Sequence, residues 1–267
     1  GDFHWNVNDN LTLLDTRVKE LAGGATEMNL DSDWAGYAIV GARYPMIKAT
    51  DWVRNPEGKI IVDPVTGLPK AGDIVAVGTS DPTVRIGLNS VMKWKGFSLA
   101  ATFDYRGGHY TRPSSEYNML FTGASYISGI SGRQRFVFPN SVIEETDASG
   151  NVTYRENTDI TVNDAGKTFW NGIYKQGRAN QIISAASWRL RELSLGYDVP
   201  KKYLKKVGFL QRASVSLVGR NLFMWTPSTN IWGDPDFTGS GNGNVGGFSG
   251  TNNVGQRSYG FNLLLSF

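Results

Sequence analysis

The 267-residue sequence predicts an all-β protein: an antiparallel, up-and-down transmembrane β-barrel segment of about seven strands, with long loops gathered at one end. Three patterns carry that expectation. Apolar side chains recur at every second position, which in a strand places them all on one face. The stretches are close to the roughly 9 to 11 residues that cross a bilayer when tilted. The connections between them are of two kinds, very short and very long.

Taken in chain order, Phe3, Trp5 and Val7, then Leu11 and Leu13 after a break at Asp9, alternate with His4, Asn6, Asn8, Asn10 and Thr12. A weaker strand is expected over residues 34–43. Residues 84–94 set Val84, Ile86, Leu88, Met92 and Trp94 against Arg85, Asn89 and Lys93. Residues 97–105 set Phe97, Leu99, Ala101, Phe103 and Tyr105 against Ser98, Thr102 and Asp104. The link Lys95-Gly96 makes these two a hairpin, because a two-residue loop puts Trp94 and Phe97 opposite each other on the same face. Over residues 182–190, Ile182, Ala186, Trp188 and Leu190 are in phase, after which Leu193, Leu195 and Tyr197 continue out of phase. A bulge near Arg191 restores a single face. Ala213, Val215 and Leu217 alternate with Ser214 and Ser216, and the pattern blurs over residues 221–225. Tyr259, Phe261, Leu263, Leu265 and Phe267 then oppose Ser258, Gly260, Asn262, Leu264 and Ser266.

Residues 95–96 and 198–210 are the short connections, and residues 45–83, 107–181 and 226–257 the long ones. In an up-and-down chain the short ones fall at the end where the C-terminus lies and the long ones at the other, the asymmetry of outer-membrane barrels. Trp94, Phe97, Tyr197 and Phe267 then sit at the short-turn end, and Trp5, Trp188, Phe223, Trp225 and Tyr259 at the long-loop end, as two interfacial girdles require. Seven strands do not close a cylinder, and every unpaired backbone group in hydrocarbon costs several kcal/mol. Further strands must come from elsewhere, or an eighth from residues 133–143 or 151–162.

Composition removes other classes. With no cysteine there is no disulfide and no thiolate metal site, and two histidines leave little for a zinc centre. The net charge of +3, from 27 basic and 24 acidic residues, gives no nucleic-acid footprint. No apolar run approaches the roughly 20 residues of a spanning helix. The chain opens directly into alternation, without the charged and apolar regions of a signal peptide, as a mature chain or a piece of a longer one does.

Specific stretches then resemble a known family. Residues 187–200, SWRLRELSLGYDVP, followed by Lys201, Lys202, Leu204 and Lys205, are similar to the "LRLREVSLGYTLPKK" segment of SusC/RagA-type TonB-dependent outer-membrane transporters. Val218-Gly219-Arg220-Asn221-Leu222-Phe223 with Trp225-Thr226, and residues 259–267, 82–87, 93–97 and 104–108, resemble further stretches of that family. The resemblance implies a barrel of about 22 strands, of which this chain supplies the C-terminal quarter from strand 16 onward. The plug domain, the TonB box and the remaining strands would lie outside it. It also implies energy-coupled import of glycans or oligopeptides in the bacterial outer membrane, through the TonB system and with a SusD-like surface lipoprotein.

Candidate substrate-binding residues lie on loops: Trp232, Asp234, Asp236 and Phe237 in one, and Glu116, Tyr117 and Asn118, in an expected short helix, in another. Rings stack on sugars, and carboxylates and amides bond to hydroxyls; loop packing is the competing reading. Tyr259, Phe261, Leu263, Leu265 and Phe267 also read as a signal for the barrel-assembly machinery, since a terminal strand with open donors is captured by strand addition. An ordinary amphipathic strand would look alike. No catalytic residue is expected: His109, Asp104 and Ser114 lie close in sequence without a nucleophile elbow. Residues 239–244 lack the Lys-Ser/Thr of a P-loop, and Asp31-Ser32-Asp33 and Asp234-Pro235-Asp236 fall short of an EF-hand, so no cofactor or metal is expected. Two rival classes fit the alternation. One is a small complete outer-membrane barrel or adhesin. The other is a secreted soluble β-sandwich that binds carbohydrate, where charge is tolerated on either face; in lipid a midplane Lys or Arg costs about 2 to 4 kcal/mol.

Overall fold

The computed structural model describes residues 2–30, 36–132, 134–162, 166–206, 208–236, 248–249 and 255–267. Six long strands form one antiparallel sheet in chain order: β1 (Phe3–Leu13), β2 (Val84–Trp94), β3 (Phe97–Gly107), β4 (Ser187–Asp198), β5 (Arg212–Trp225) and β6 (Ser258–Ser266). Each pairs with its neighbour in sequence. Among the described residues the outer edges of β1 and β6 are unpaired, so the sheet is open.

The strand expected over residues 34–43 does not join this sheet, which has six strands rather than seven. Gly36–Ile39 belongs instead to a four-stranded sheet with Glu27–Asn29, Met46–Trp52 and Ala71–Thr79. Alternation identifies a strand with two different faces but not the sheet it enters, and here the inward residue is the small Ala38. β1 therefore pairs directly with β2, Phe3 opposite Trp94 and Leu13 opposite Val84. Its direction is the reverse of the one expected, and Trp5 lies at the short-turn end, not with the long loops.

Register aligns the apolar faces. One row runs Trp5, Met92, Leu99, Leu195, Leu217, Phe261 across all six strands, and the next runs Phe3, Trp94, Phe97, Tyr197, Val215, Leu263. A row nearer the long loops carries Leu11, Ile86, Tyr105, Trp188 and Trp225. Two local devices keep these rows in line. Lys95 and Gly96 both have positive φ, 47° and 91°, as the tight hairpin turn requires. The pairing of β4 with both neighbours shifts between Leu190 and Glu192, which is the expected bulge; it returns Leu193 to the face of Leu190.

This face is bare. Trp5 is 61% exposed and Phe261 62%, and among the described residues no second sheet covers it. Asp9 is the one charged side chain among its paired positions, opposite Leu88 on the edge strand β1.

The buried core lies elsewhere, in the long connections. The described residues of 14–83 and 108–186 fold together into a loop layer. Trp52, Ile60, Val62, Phe138, Ile143, Val162 and Phe169 form its main cluster, with the Trp52 and Phe138 rings 5.4 Å apart and edge-on. Ile47, Ala49 and Ile182 form a smaller one. Ile182, expected in the same strand as Trp188, is thus a loop-layer residue, and β4 begins only at Ser187. Residues 133–143 and 151–162 do pair, but with each other: Ser141–Thr146 with Val152–Glu156, and Phe136–Val137 with Thr161–Val162. They add no strand to the main sheet. Ile60–Val62 joins the first of these in parallel, tying the two connections together. Helix α1 (Ser114–Thr122) covers the helix expected around Glu116 and ends on Gly123 at φ 76°, which an L side chain would resist.

Candidate functional site

The face opposite the apolar rows is polar, and its character changes along the strands. Toward the middle it is lined by amides and hydroxyls: Asn89 Nδ2 donates to Thr102 Oγ1 at 2.9 Å, and the Gly87 N–H donates to Asn10 Oδ1 at 3.1 Å. Near the long loops it becomes charged. Asp104 and Arg189 are paired neighbours, as are Arg220 and Glu192. The bulge adds Arg191 to this face beside them, because a bulge lets adjacent residues share a side.

The third long connection folds back onto these charges. Arg189 Nη1 donates to Asp234 Oδ2 at 2.7 Å, and its Nη2 makes a second, very short contact with Asp234 Oδ1, the two-pronged geometry in which guanidinium meets carboxylate most strongly. Arg189 Nε lies 3.2 Å from Asp236 Oδ2. Arg191 Nε and Nη2 donate to the two oxygens of Asp104, each at 2.9 Å, and Nη2 also reaches Asp236 at 2.6 Å. Arg106 Nη1 donates to the other Asp236 oxygen at 3.2 Å. Burial is the largest single influence on Asp234 and works against its charge, but the Arg189 hydrogen bonds, the Asp236 N–H and the charges of Arg189 and Arg191 together outweigh it and hold the carboxyl below the usual aspartate range. Three arginines of the wall thus bind three carboxylates, two of them from the loop. A cavity of about 260 Å³ opens beside this knot, lined by Arg189, Arg191, Met224, Asp234, Asp236 and Arg257 among others. Arg257 has no carboxylate partner among the described residues, so the lining carries an excess of positive charge.

Of the residues expected to bind substrate, Asp234 and Asp236 therefore come together, held as anchors of their loop with one edge in the cavity. Trp232 is half-buried beside them, its N–H donating to Asn230 Oδ1 at 3.3 Å. Phe237, residues 239–244 and Asp31-Ser32-Asp33 lie outside the described residues. The other group sits on α1. Glu116 is buried, accepts a short hydrogen bond from the Tyr174 hydroxyl on one oxygen, and finds no hydrogen-bond partner among the described residues for the other. Burial pushes its carboxyl up to about 7 against the opposing effects of Tyr174 and Arg112. Burial, reinforced by the Glu116 charge, raises the Tyr174 hydroxyl as well. Tyr117 stacks with Lys175, whose Nζ lies 4.2 Å from the ring, and Asn118 is exposed. The third connection also reaches the start of α1 through backbone: Phe248–Ser249 runs parallel to Arg112 and Pro113, immediately before the helix.

Sequence reasoning missed Arg189, Arg191 and Arg106. The signal available was their alternation with apolar residues, which placed them on the polar face; their partners lie about 45 residues away or more on the third connection, beyond any local pattern. Asp104, weighed as a triad member, is occupied by Arg191. His109 is buried and pushed down to about 4, by burial first and then by the Arg106 charge.

No family model matches this sequence, and no curated protein does. Solved structures do. A chain of the RagAB peptide transporter is similar over 100% of this chain and 27% of its own length, at 15% identity and a TM-score of 0.63. Chains of the RagAB peptide importer in its "open-open" and "closed-closed" states are similar at 17% and 16% identity, each with a TM-score of 0.64, again over 100% of this chain and over 27% and 28% of theirs. The likeness is one of fold. This chain spans about 27% of the length of the chains it matches.

Proposed function

We propose that this chain is the C-terminal part of the barrel of a TonB-dependent outer-membrane importer of the SusC/RagA type. The observation that carries the reading is the division of the six-stranded sheet. One face is predominantly apolar and mostly exposed, with Asp9 its one charge among the paired positions, and the other is rich in amides, hydroxyls and charged groups. Lipid outside and water inside is the environment that rewards this division. The rows from Phe97 to Tyr105 span roughly 26 Å along a strand, about 20 Å when tilted, close to the apolar band of an outer-membrane barrel. Open edges on β1 and β6 call for further strands, which in a barrel of about 22 complete the cylinder around a plug. A soluble sandwich needs a second sheet on the apolar face, and a small barrel needs β1 to meet β6; the open, uncovered sheet favours neither.

In this reading the loop layer faces the outside of the cell and meets a SusD-like lipoprotein, and the plug couples the barrel to the TonB system. The last strand, through Tyr259, Phe261, Leu263, Leu265 and Phe267, is read by the barrel-assembly machinery. The arginine knot and its cavity, with Trp232, Asp234 and Asp236, lie on the transport path, and Glu116, Tyr117 and Asn118 border it. Oligopeptides are favoured over glycans, because the similar structures are named as peptide transporters and because a cavity with excess positive charge suits peptide carboxylates. The chain acts as a conduit and performs no catalysis.

The test is uptake by whole cells. Deleting the gene should abolish uptake of labelled oligopeptides, and collapsing the proton-motive force should do the same to the intact strain. Undiminished uptake in the deletion would contradict the proposal, and loss of oligosaccharide uptake alone would reassign the substrate.

A further inference from the structure

The short-turn end of the sheet carries charge that the protein itself does not neutralise. The β4–β5 connection holds the short helix Lys201–Leu204, followed by Lys205 and Lys206, and the β2–β3 turn holds Lys95. These five lysines are exposed, and among the described residues no carboxylate pairs with any of them. Among the described residues the ion pair at this end is Arg212 with Asp198, at 3.4 Å. The contrast with the long-loop end, where Arg106, Arg189 and Arg191 each meet an aspartate, is one of arrangement. The two turns are adjacent, since the Asp198 N–H donates to the Gly96 carbonyl at 2.8 Å.

Aromatic rings stand beside these ammonium groups. Lys95 Nζ lies 5.2 Å from the ring of Trp94, on the apolar face, and Lys202 Nζ lies 4.8 Å from Tyr203. Phe209 and Phe267 stack at 5.9 Å, both largely exposed, and carry the apolar face past its last paired row, Ala213 with Leu265. Rings that end where unpaired cations begin match the chemistry of a phospholipid interface, with rings at the glycerol level and ammonium groups at the phosphates.

We propose that this rim binds anionic phospholipid in the leaflet at the short-turn end. Lys95, Lys202, Lys205 and Lys206 hold the phosphodiester, while Trp94, Tyr203 and Phe209 lie against the upper acyl chain. The inference rests on the reading that the apolar face meets lipid. A soluble anion would use the lysines but leave the exposed rings without a role, which is why the lipid is the assigned occupant.

The test uses the protein as isolated from its membrane in mild detergent, offered equal amounts of phosphatidylglycerol and phosphatidylethanolamine with identical chains, with retained lipids counted by native mass spectrometry. Wild type should retain phosphatidylglycerol at least about fivefold over phosphatidylethanolamine, the factor that corresponds to one lysine near a charged surface. Combined K95Q, K202Q, K205Q and K206Q should bring the ratio to about one, while arginine at the same positions should preserve it. Equal retention by wild type, an unchanged ratio in the glutamine variant, or displacement of the lipid by soluble glycerol phosphate would each overturn the proposal while leaving a lipid-facing sheet intact. A protein that needs no detergent and retains neither lipid would overturn both.

Discussion

Replacing Asp234 by Ala should release the third long connection from the wall without unfolding the sheet. Arg189, 7% exposed, would keep one carboxylate, Asp236 at 3.2 Å, in place of two. Removing a partner from a buried pair costs about 3 to 5 kcal/mol, and an exposed pair is worth about 0 to 1. Asp234 is 18% exposed and Asp236 remains, so the loss falls between these limits, at about 2 kcal/mol. It weakens the attachment of residues 226–236. The reporter is the Asn230 N–H, which donates to the Pro227 carbonyl at 2.9 Å within that segment. Its hydrogen exchange should quicken about 30-fold, at roughly 1.4 kcal/mol per factor of ten, while the β4 amides are unchanged. Glu192→Gln is the control. It removes the partner of Arg220 from a pair in which the side chains are 64% and 42% exposed, and should alter exchange by no more than about twofold. Unchanged exchange at Asn230 in Asp234→Ala, or an equal effect from Glu192→Gln, would refute the argument that dryness decides the strength of the knot.

The buried Glu116 carboxyl, raised from an ordinary 4.5 to about 7 chiefly by burial, binds its proton more tightly in the folded than in the unfolded chain. Its contribution to loop-layer stability is therefore complete below about 4.5 and is lost as pH rises through about 7. Glu116→Gln should flatten the stability profile across that interval, and an unaltered slope would contradict the assignment. A methyl group at Gly177 would lie 2.1 Å from Trp52 Cε2 in the main cluster. Gly177→Ala should cost about 1 to 3 kcal/mol by overpacking, read as a lower melting temperature; an unchanged melting temperature would mean that the ring has room to move.

The parts of the fold legible in sequence were those set by local periodicity. The Lys95-Gly96 hairpin, the break in phase at Arg191 and the alternation of residues 259–265 each depend on neighbours a few positions apart, and each stands as expected. The loop layer was opaque for the opposite reason. Trp52 meets Phe138 and Phe169 across more than 80 residues of chain, and several of its strands are two or three residues long, too short to show a period. Gly36–Ile39 alternates as a strand does, but alternation does not name the sheet it enters, and its place outside the main sheet reverses the direction of β1 relative to the sequence expectation. At the site, Asp234 and Asp236 were recognisable as clustered carboxylates in a loop. What turned them from solvent-facing groups into anchors was a set of arginines on a distant wall.

The sharpest single measurement is a scan of β6. The chain contains no cysteine, so residues 259–265 can be replaced one at a time by spin-labelled cysteine without background labelling. In reconstituted protein, labels at Tyr259, Phe261, Leu263 and Leu265 should be open to oxygen dissolved in lipid and shielded from a water-soluble nickel chelate. Labels at Gly260, Asn262 and Leu264 should show the reverse. A profile without a two-residue period, or labels at 261 and 263 closed to both reagents, would mean that this face packs against protein and not against hydrocarbon.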